Sequence, residues 1–337
     1  MRIGILGAAR IAPSALIKPA RRTTGVVVAA VAAREPARAA AFAARHAIPT
    51  VHKSYEALVD SPDIDAIYNP LPNGLHAQWT VRALQAGKHV LCEKPFAANA
   101  DEARRVEAAR REAESIHGRP LVVMEAFHYR YHPLLPRLHE LVGEVGPVRR
   151  VEASMCFPLP RFHDIRYRYD LAGGSLMDAG CYALHFLRHA RPGSGEPEVT
   201  AARAKPLRRD PRVDRAMTVD VRFPDGAVGR ARASLWSGAV LDISARITGE
   251  RGEVRVFNFV MPHTYHRLTL VANGRRRRLR VEGDATYTHQ LRAFIAAVHG
   301  DAAANLTPPA DAIATMTLID AAYAAAGLPL RPAGLTG

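Results

Sequence analysis

RIGILGAARIAP, Arg2 to Pro13, passes from an apolar run fit for a buried strand, RIGIL, through a glycine-alanine turn to a proline suited to the first turn of a helix. The same alternation repeats downstream. VVVAAVA (Val26–Ala32) reads as a second buried strand and PARAAAFAARHA as an alanine-rich helix. AIYN (Ala66–Asn69) precedes a Pro/Asn/Gly loop and a helix around AQWTVRALQAG, and HVLCE gives the next strand. Asn99 with Glu102 makes a capping-type start for a long helix, and PLVVMEAF closes the set. Strands that are apolar throughout and separated by helices belong in a parallel sheet covered on both faces. Residues 1–125 are therefore predicted to form a doubly wound α/β domain.

From about Val148 the texture changes. VTAARAK, AMTVDVRF, AVGRARASLW, DISARIT, EVRVFN, RLTLVA and RRLRVEG alternate apolar and polar residues, joined by turns such as Pro224-Asp225-Gly226 and Asn273-Gly274. Period-two alternation with hairpin turns indicates a mostly antiparallel sheet with one face covered. Helical segments are expected near Ser175, over Thr288 to Val298 and over Ala310 to Ala326. Residues 126–337 are thus read as an α+β domain built on a large open sheet.

The totals suit this two-domain picture. A chain of 337 residues exceeds one ordinary domain, and 48% hydrophobic with 23% charged residues is ordinary for a globular enzyme. Cys92, Cys156 and Cys181 lack any CxxC spacing, which argues for reduced thiols and against a disulfide framework or a metal site. No apolar run reaches membrane-spanning length, and the N-terminus enters a strand at once without a basic leader. Cytoplasm is the expected compartment, and no membrane partner is expected. The net charge of +14 favours anionic ligands through its long-range field. Its dense run, Arg275 to Arg278, follows the Asn273-Gly274 turn and reads as one edge of a ribbon. Without aromatic interleaving or a known module, nucleic-acid binding is not expected.

The first turn, GAARIA, has Gly7 where a dinucleotide-binding turn needs its tight-turn glycine, while Ala9 replaces the close-approach glycine. At the end of the second strand an NAD site expects an acid for the ribose hydroxyls. Here Ala33 is followed by Arg34, whose fork of donors suits a 2′-phosphate, with Glu35 next to it. The cofactor expected is NADP in preference to NAD.

Two further clusters carry chemistry. In VLCEKPF, Pro95 biases Lys94 toward extended backbone, so the lysine leaves the carboxyl end of a parallel strand, where open α/β sheets take ligands. The bland alternative is a surface lysine paired with Glu93. In GGSLMDAGCYALHF, Tyr182 follows Asp178 by one helical turn and His185 lies near the same face. Here too a plain account exists: Ser175 caps the helix with Asp178 as its third residue, and Tyr182 is core.

GILGAARIA, CEKP and GGSLMDAGCY, in that order and separation, resemble the glucose-fructose oxidoreductase/inositol dehydrogenase/MocA (Gfo/Idh/MocA) family over essentially the whole chain. Tyr182, AARE after the second strand and MEAFHYRYHP are similar to the branch with glucose-fructose oxidoreductase, NADP-linked xylose dehydrogenases and dimeric dihydrodiol dehydrogenases. The chain departs from the family pattern at Ala9 and at Ala172, where a third glycine often stands. The resemblance implies an N-terminal Rossmann domain and hydride transfer between NADP and a secondary alcohol or hemiacetal carbon of a sugar, polyol or dihydrodiol. It implies Tyr182 as acid/base, Lys94 as its electrostatic partner and Asp178 orienting the substrate hydroxyl or cofactor ribose. Cofactor contacts fall on Gly7, Ala8, Ala9, Arg10, Ile11, Arg34, Pro70, Leu71, Asn73, His76, Glu93 and Lys94. Candidate substrate contacts are Phe127, Arg161, Arg166, Asp178, Tyr182 and His185. A homodimer through the C-terminal sheet is also implied. The alternative is a catalytically silent NADP-binding sensor on the same fold.

Overall fold

The computed structural model of the protein describes residues 1–333, in two compact units: Met1–Tyr131 with Tyr287–Ile313, and His132–Thr286 with Ala314–Pro332. A single division after residue 125 misses the return of the chain. The helix Thr286–Val298 lends Tyr287, Leu291 and Phe294 to the first unit's core, beside Ile3, Ile5, Leu16 and Tyr68. Its apolar stripe is spent there rather than on the second sheet.

Among the described residues the first unit's sheet has six strands: β1 (Arg2–Leu6), β2 (Val27–Ala32), β3 (Thr50–Val51), β4 (Ala66–Asn69), β5 (His89–Cys92) and β6 (Val123–Glu125). They lie in the order β3-β2-β1-β4-β5-β6 and pair in parallel. Order reverses between β1 and β4, the switch point outside which doubly wound sheets bind ligands. β4 and β5 are buried along their length, which is why they read as unbroken apolar runs. The helix Ala100–His117 starts as expected: Asn99 Oδ1 accepts the Glu102 N–H at 2.9 Å, and Glu102 Oε2 accepts the Ala98 N–H at 2.9 Å.

The second unit's sheet has, among the described residues, eight strands: β7 (Val148–Cys156), β8 (Glu198–Leu207), β9 (Asp210–Arg222), β10 (Val228–Ser234), β11 (Asp242–Gly249), β12 (Gly252–Phe257), β13 (Arg267–Ala272) and β14 (Arg275–Leu279). Their order is β14-β13-β12-β11-β7-β10-β9-β8, antiparallel except for the β7/β10 pair. The helices Leu134–Glu144 and Cys181–His189 pack on one face, over Val151, Ala153, Ala231, Ala233, Ile247 and Val254. The other face is charged: along one register row Asp220, Arg230, Glu152, Arg246 and Arg255 stand side by side. Asn273 (φ 50) and Gly274 (φ 74) form the two-residue turn into β14, so Arg275–Arg278 is the expected edge. That strand starts directly after the turn, two residues before the RRLRVEG alternation. β8 and β9 extend past Pro206 and Pro211 to a turn at Arg208-Arg209, beyond the stretches that alternate.

Candidate active site

In the first unit the anticipated positions gather after the carboxyl ends of the parallel strands. Gly7 (φ 84) donates its N–H to Ala32 O at 2.7 Å, tying the turn after β1 to the end of β2. A Cβ there would lie 3.2 Å from Leu71 Cδ2, so glycine lets the loop after β4 come close. Among the described residues the N–H groups of Ala8, Ala9, Arg10 and Ile11 find no protein acceptor, leaving donors where a helix begins.

Arg34 leaves β2 with its side chain 86% exposed, its Nη2 3.8 Å from Glu35 Oε1. So loose and exposed an ion pair contributes little and leaves the guanidinium fork open. Sequence reasoning passed over two neighbours. Burial raises the Tyr55 phenol above its ordinary range, while a backbone hydrogen bond to Arg34 and the charges of Arg34 and Arg38 pull it back. Tyr55 Oη would stand 3.8 Å from a Cβ on Gly7, beside the same turn. The available signal was Arg38 lying four residues after Arg34 at the start of the helix Pro36–His46.

At the ends of β4 and β5 one imidazole joins the two loops. His76, first residue of the helix His76–Gln85, places Nδ1 2.7 Å from Pro95 O and Nε2 2.7 Å from Leu71 O. Burial pushes its pKa down to about 4 against the pull of the two carbonyls, and the Lys94 ammonium adds to the fall. Both ring nitrogens face backbone carbonyls, so His76 braces the Lys94-Pro95 turn. From Leu91 to Ala98 every residue is buried except Lys94. Glu93, by contrast, is not a surface charge. It is 8% exposed and accepts the Tyr68 hydroxyl at 2.8 Å.

In the second unit a π-type turn, Leu176–Gly180, runs into the helix Cys181–His189. Such turns recur at functional sites. Asp178 sits in it and Tyr182 in the next turn. Arg166 Nε lies 3.0 Å from Asp178 Oδ2, and Arg166 Nη1 lies 3.2 Å from Asp164 Oδ1. Asp178, more than Asp164, raises the Arg166 pKa further, with burial opposing. Two predicted substrate contacts therefore meet.

His185 is fully buried with its ring 4.4 Å from that of His189, and Phe127, in the first unit, is fully buried edge-on to Tyr129. Cys181 to Arg188 is buried all round, so helical spacing there carries no polar face to read. Arg161 is exposed, and no carboxylate pairs with it among the described residues. The Ser175 cap also fails. Ser175 has helical backbone angles and donates its Oγ to Asp214 Oδ2 at 2.6 Å, while the same oxygen accepts the Leu176 N–H at 2.7 Å. The cap comes from β9.

Residues 1–118 match the oxidoreductase family with an NAD-binding Rossmann fold (Gfo/Idh/MocA), and residues 138–255 match the Gfo/Idh/MocA C-terminal domain. A D-xylose 1-dehydrogenase (NADP(+)) of Haloferax volcanii is 38% identical over 331 residues, covering 97% of each chain. A trans-1,2-dihydrobenzene-1,2-diol dehydrogenase of Xenopus tropicalis is 31% identical over 258 residues, 74% of this chain and 71% of its own. A 3-ketoreductase from Actinomadura kijaniata, solved with NADP and TDP-benzene, superposes with a TM-score of 0.86 at 28% identity, covering 96% of this chain and 97% of its own. Solved variants of that ketoreductase replace a tyrosine by phenylalanine, or a lysine by alanine or glutamate. The chain belongs to the Gfo/Idh/MocA family of oxidoreductases. Among the described residues no helix is long and apolar enough to cross a membrane.

Proposed function

We propose that this oxidoreductase uses NADP, in preference to NAD, to move a hydride to or from a secondary alcohol or hemiacetal carbon of a sugar, polyol or dihydrodiol. The observation that carries the reading is Lys94, the one residue only half-buried in the otherwise buried run Leu91 to Ala98 that ends β5, where parallel sheets take their ligands. The first unit is the NADP-binding part, and the second binds substrate and pairs subunits through its charged sheet face. The expected compartment is the cytoplasm.

The residues of the first unit fit the cofactor. Ala8 to Ile11 offer N–H donors to a pyrophosphate, Gly7 shapes the turn that presents them, and Pro70, Leu71, Asn73 and Glu93 belong to the loops beside them. Arg34 and Arg38 present guanidinium forks to a 2′-phosphate, a charge-assisted contact that NAD lacks. The bound nicotinamide supplies the hydride acceptor or donor. Tyr182 takes the proton of the substrate hydroxyl during oxidation and returns it during reduction. An ordinary phenol, with a pKa near about 10, is a poor base at neutral pH, so an ammonium partner is needed and Lys94 is that partner. Positioned acid/base assistance is worth about 10²–10⁴-fold in rate. Asp178, held by Arg166, orients the substrate hydroxyl. The NADP-linked xylose dehydrogenase, the dihydrodiol dehydrogenase and the ketoreductase with its exchanged tyrosine and lysine support this reading.

A screen of aldoses, inositols and dihydrodiols with NADP and NAD tests it, read by absorbance of the reduced nicotinamide. Turnover with NADP on at least one class is expected. Saturable NADPH binding with no hydride exchange on any of them would instead identify a silent NADP-binding sensor.

A further inference from the structure

Asp214, near the start of β9, has a fully buried carboxylate with four donors. Oδ2 accepts the Ser175 hydroxyl at 2.6 Å and the Leu176 N–H at 2.7 Å; Oδ1 accepts the Tyr323 hydroxyl at 2.9 Å and Arg331 Nη2 at 2.8 Å. Arg331, also buried, donates Nε to Gly173 O at 2.7 Å and Nη1 to Arg212 O at 3.0 Å. Its guanidinium carbon stands 3.9 Å from the centre of the Tyr323 ring. Gly174 (φ 138) is pressed against the group: a Cβ there would meet Asp214 Oδ1 at 2.2 Å.

An ion pair this deep is weak evidence for stability, because desolvation offsets its attraction. What the arrangement fixes is direction. Leu176 opens the helical stretch that carries Asp178 and Tyr182, and its N–H is aimed at a carboxylate from another strand, which the chain's C-terminal segment holds through Arg331. We propose that Asp214, locked by Arg331, is a positioning residue for Asp178 and Tyr182, making the C-terminal segment part of the catalytic scaffold. The proposal rests on the assignment of those two residues as the working pair.

Asp214→Asn, Arg331→Ala and the milder Arg331→Lys test it in the full-length enzyme. Kinetics with the best substrate of the screen, NADPH fluorescence titration, thermal melting and amide hydrogen exchange are measured together. Misplacement of the helix start is expected to cut kcat about 10–100-fold while NADPH affinity changes by no more than about twofold. Added guanidinium should restore part of kcat in Arg331→Ala by refilling the slot against Tyr323. A folded Asp214→Asn enzyme with wild-type kcat and merely a lower melting temperature would overturn the proposal. Should Arg331→Ala not fold, the Arg331→Lys enzyme carries the same kcat comparison. Hydrogen exchange separates this idea from its parent. If the wild type turns over nothing, faster exchange at Leu176–Gly180 than in the rest of the second unit in Asp214→Asn still supports positioning, and unchanged exchange there refutes it.

Discussion

Arg166 Nε lies 3.0 Å from Asp178 Oδ2, joining the loop after β7 to the π-type turn that leads into the Tyr182 helix. The carboxylate is 12% exposed and the guanidinium 42%, so the pair is a half-open edge and not a sealed bridge. If the two act as one clamp on a substrate hydroxyl, their removal is not additive. Asp178→Asn and Arg166→Ala should each lower kcat/KM. The double variant should lose less than their sum, with a coupling of about 0.5–3 kcal/mol. Additive losses across the cycle would show that they work apart.

Lys94 and Tyr182 carry the proton chemistry in the proposed mechanism. Lys94→Ala and Tyr182→Phe are each expected to cut kcat by about 10²–10⁴-fold, the usual worth of acid/base assistance. NADPH titration should stay near wild type for Tyr182→Phe. Near-normal turnover in Lys94→Ala would remove the lysine from the catalytic assignment.

Arg34 tests the cofactor preference. Its side chain is exposed and only loosely paired with Glu35, so its replacement disturbs little of the protein. Losing a charge-assisted contact to a 2′-phosphate is worth about 1.5–3 kcal/mol, so Arg34→Ala should weaken NADPH about 10–100-fold. NADH affinity should barely move. Equal losses for both cofactors would take the 2′-phosphate away from Arg34.

The sequence made some of this legible and hid the rest for identifiable reasons. Buried parallel strands such as AIYN show as unbroken apolar runs because both faces are covered. The Asn99 cap was readable because donor and acceptor are neighbours in the chain. The Ser175 cap was misread because its real partner, Asp214, lies 39 residues away, and the Arg331 lock on Asp214 spans 117. Nothing local marks either contact. Phe127 and His185 are fully buried, which residue type alone does not reveal. β8 and β9 outran their expected ends because Pro206 and Pro211 discourage a strand reading, yet sit where the ladder shifts register beside an edge.

His76 gives the pH prediction. Its folded pKa is about 4 against an ordinary 6.5, because burial opposes the charged ring. Between those values the unfolded chain binds a proton that the folded chain refuses, so stability rises with pH across that window. The contribution is present in full above 6.5 and is lost as pH falls toward about 4, a span of about 2.5 units. At about 1.36 kcal/mol per unit this comes to about 3 kcal/mol. His89, also pushed down to about 4 by burial and Arg119, contributes in the same direction. Denaturant unfolding at a series of pH values should show a steep acid loss in the wild type. His76→Asn, which keeps a donor for one carbonyl but cannot titrate, should flatten that slope while leaving the His89 share. The comparison is between slopes, since the variant also loses part of the brace behind Lys94. An unchanged slope in His76→Asn would mean that the ring is charged in the folded protein, with both carbonyls as acceptors.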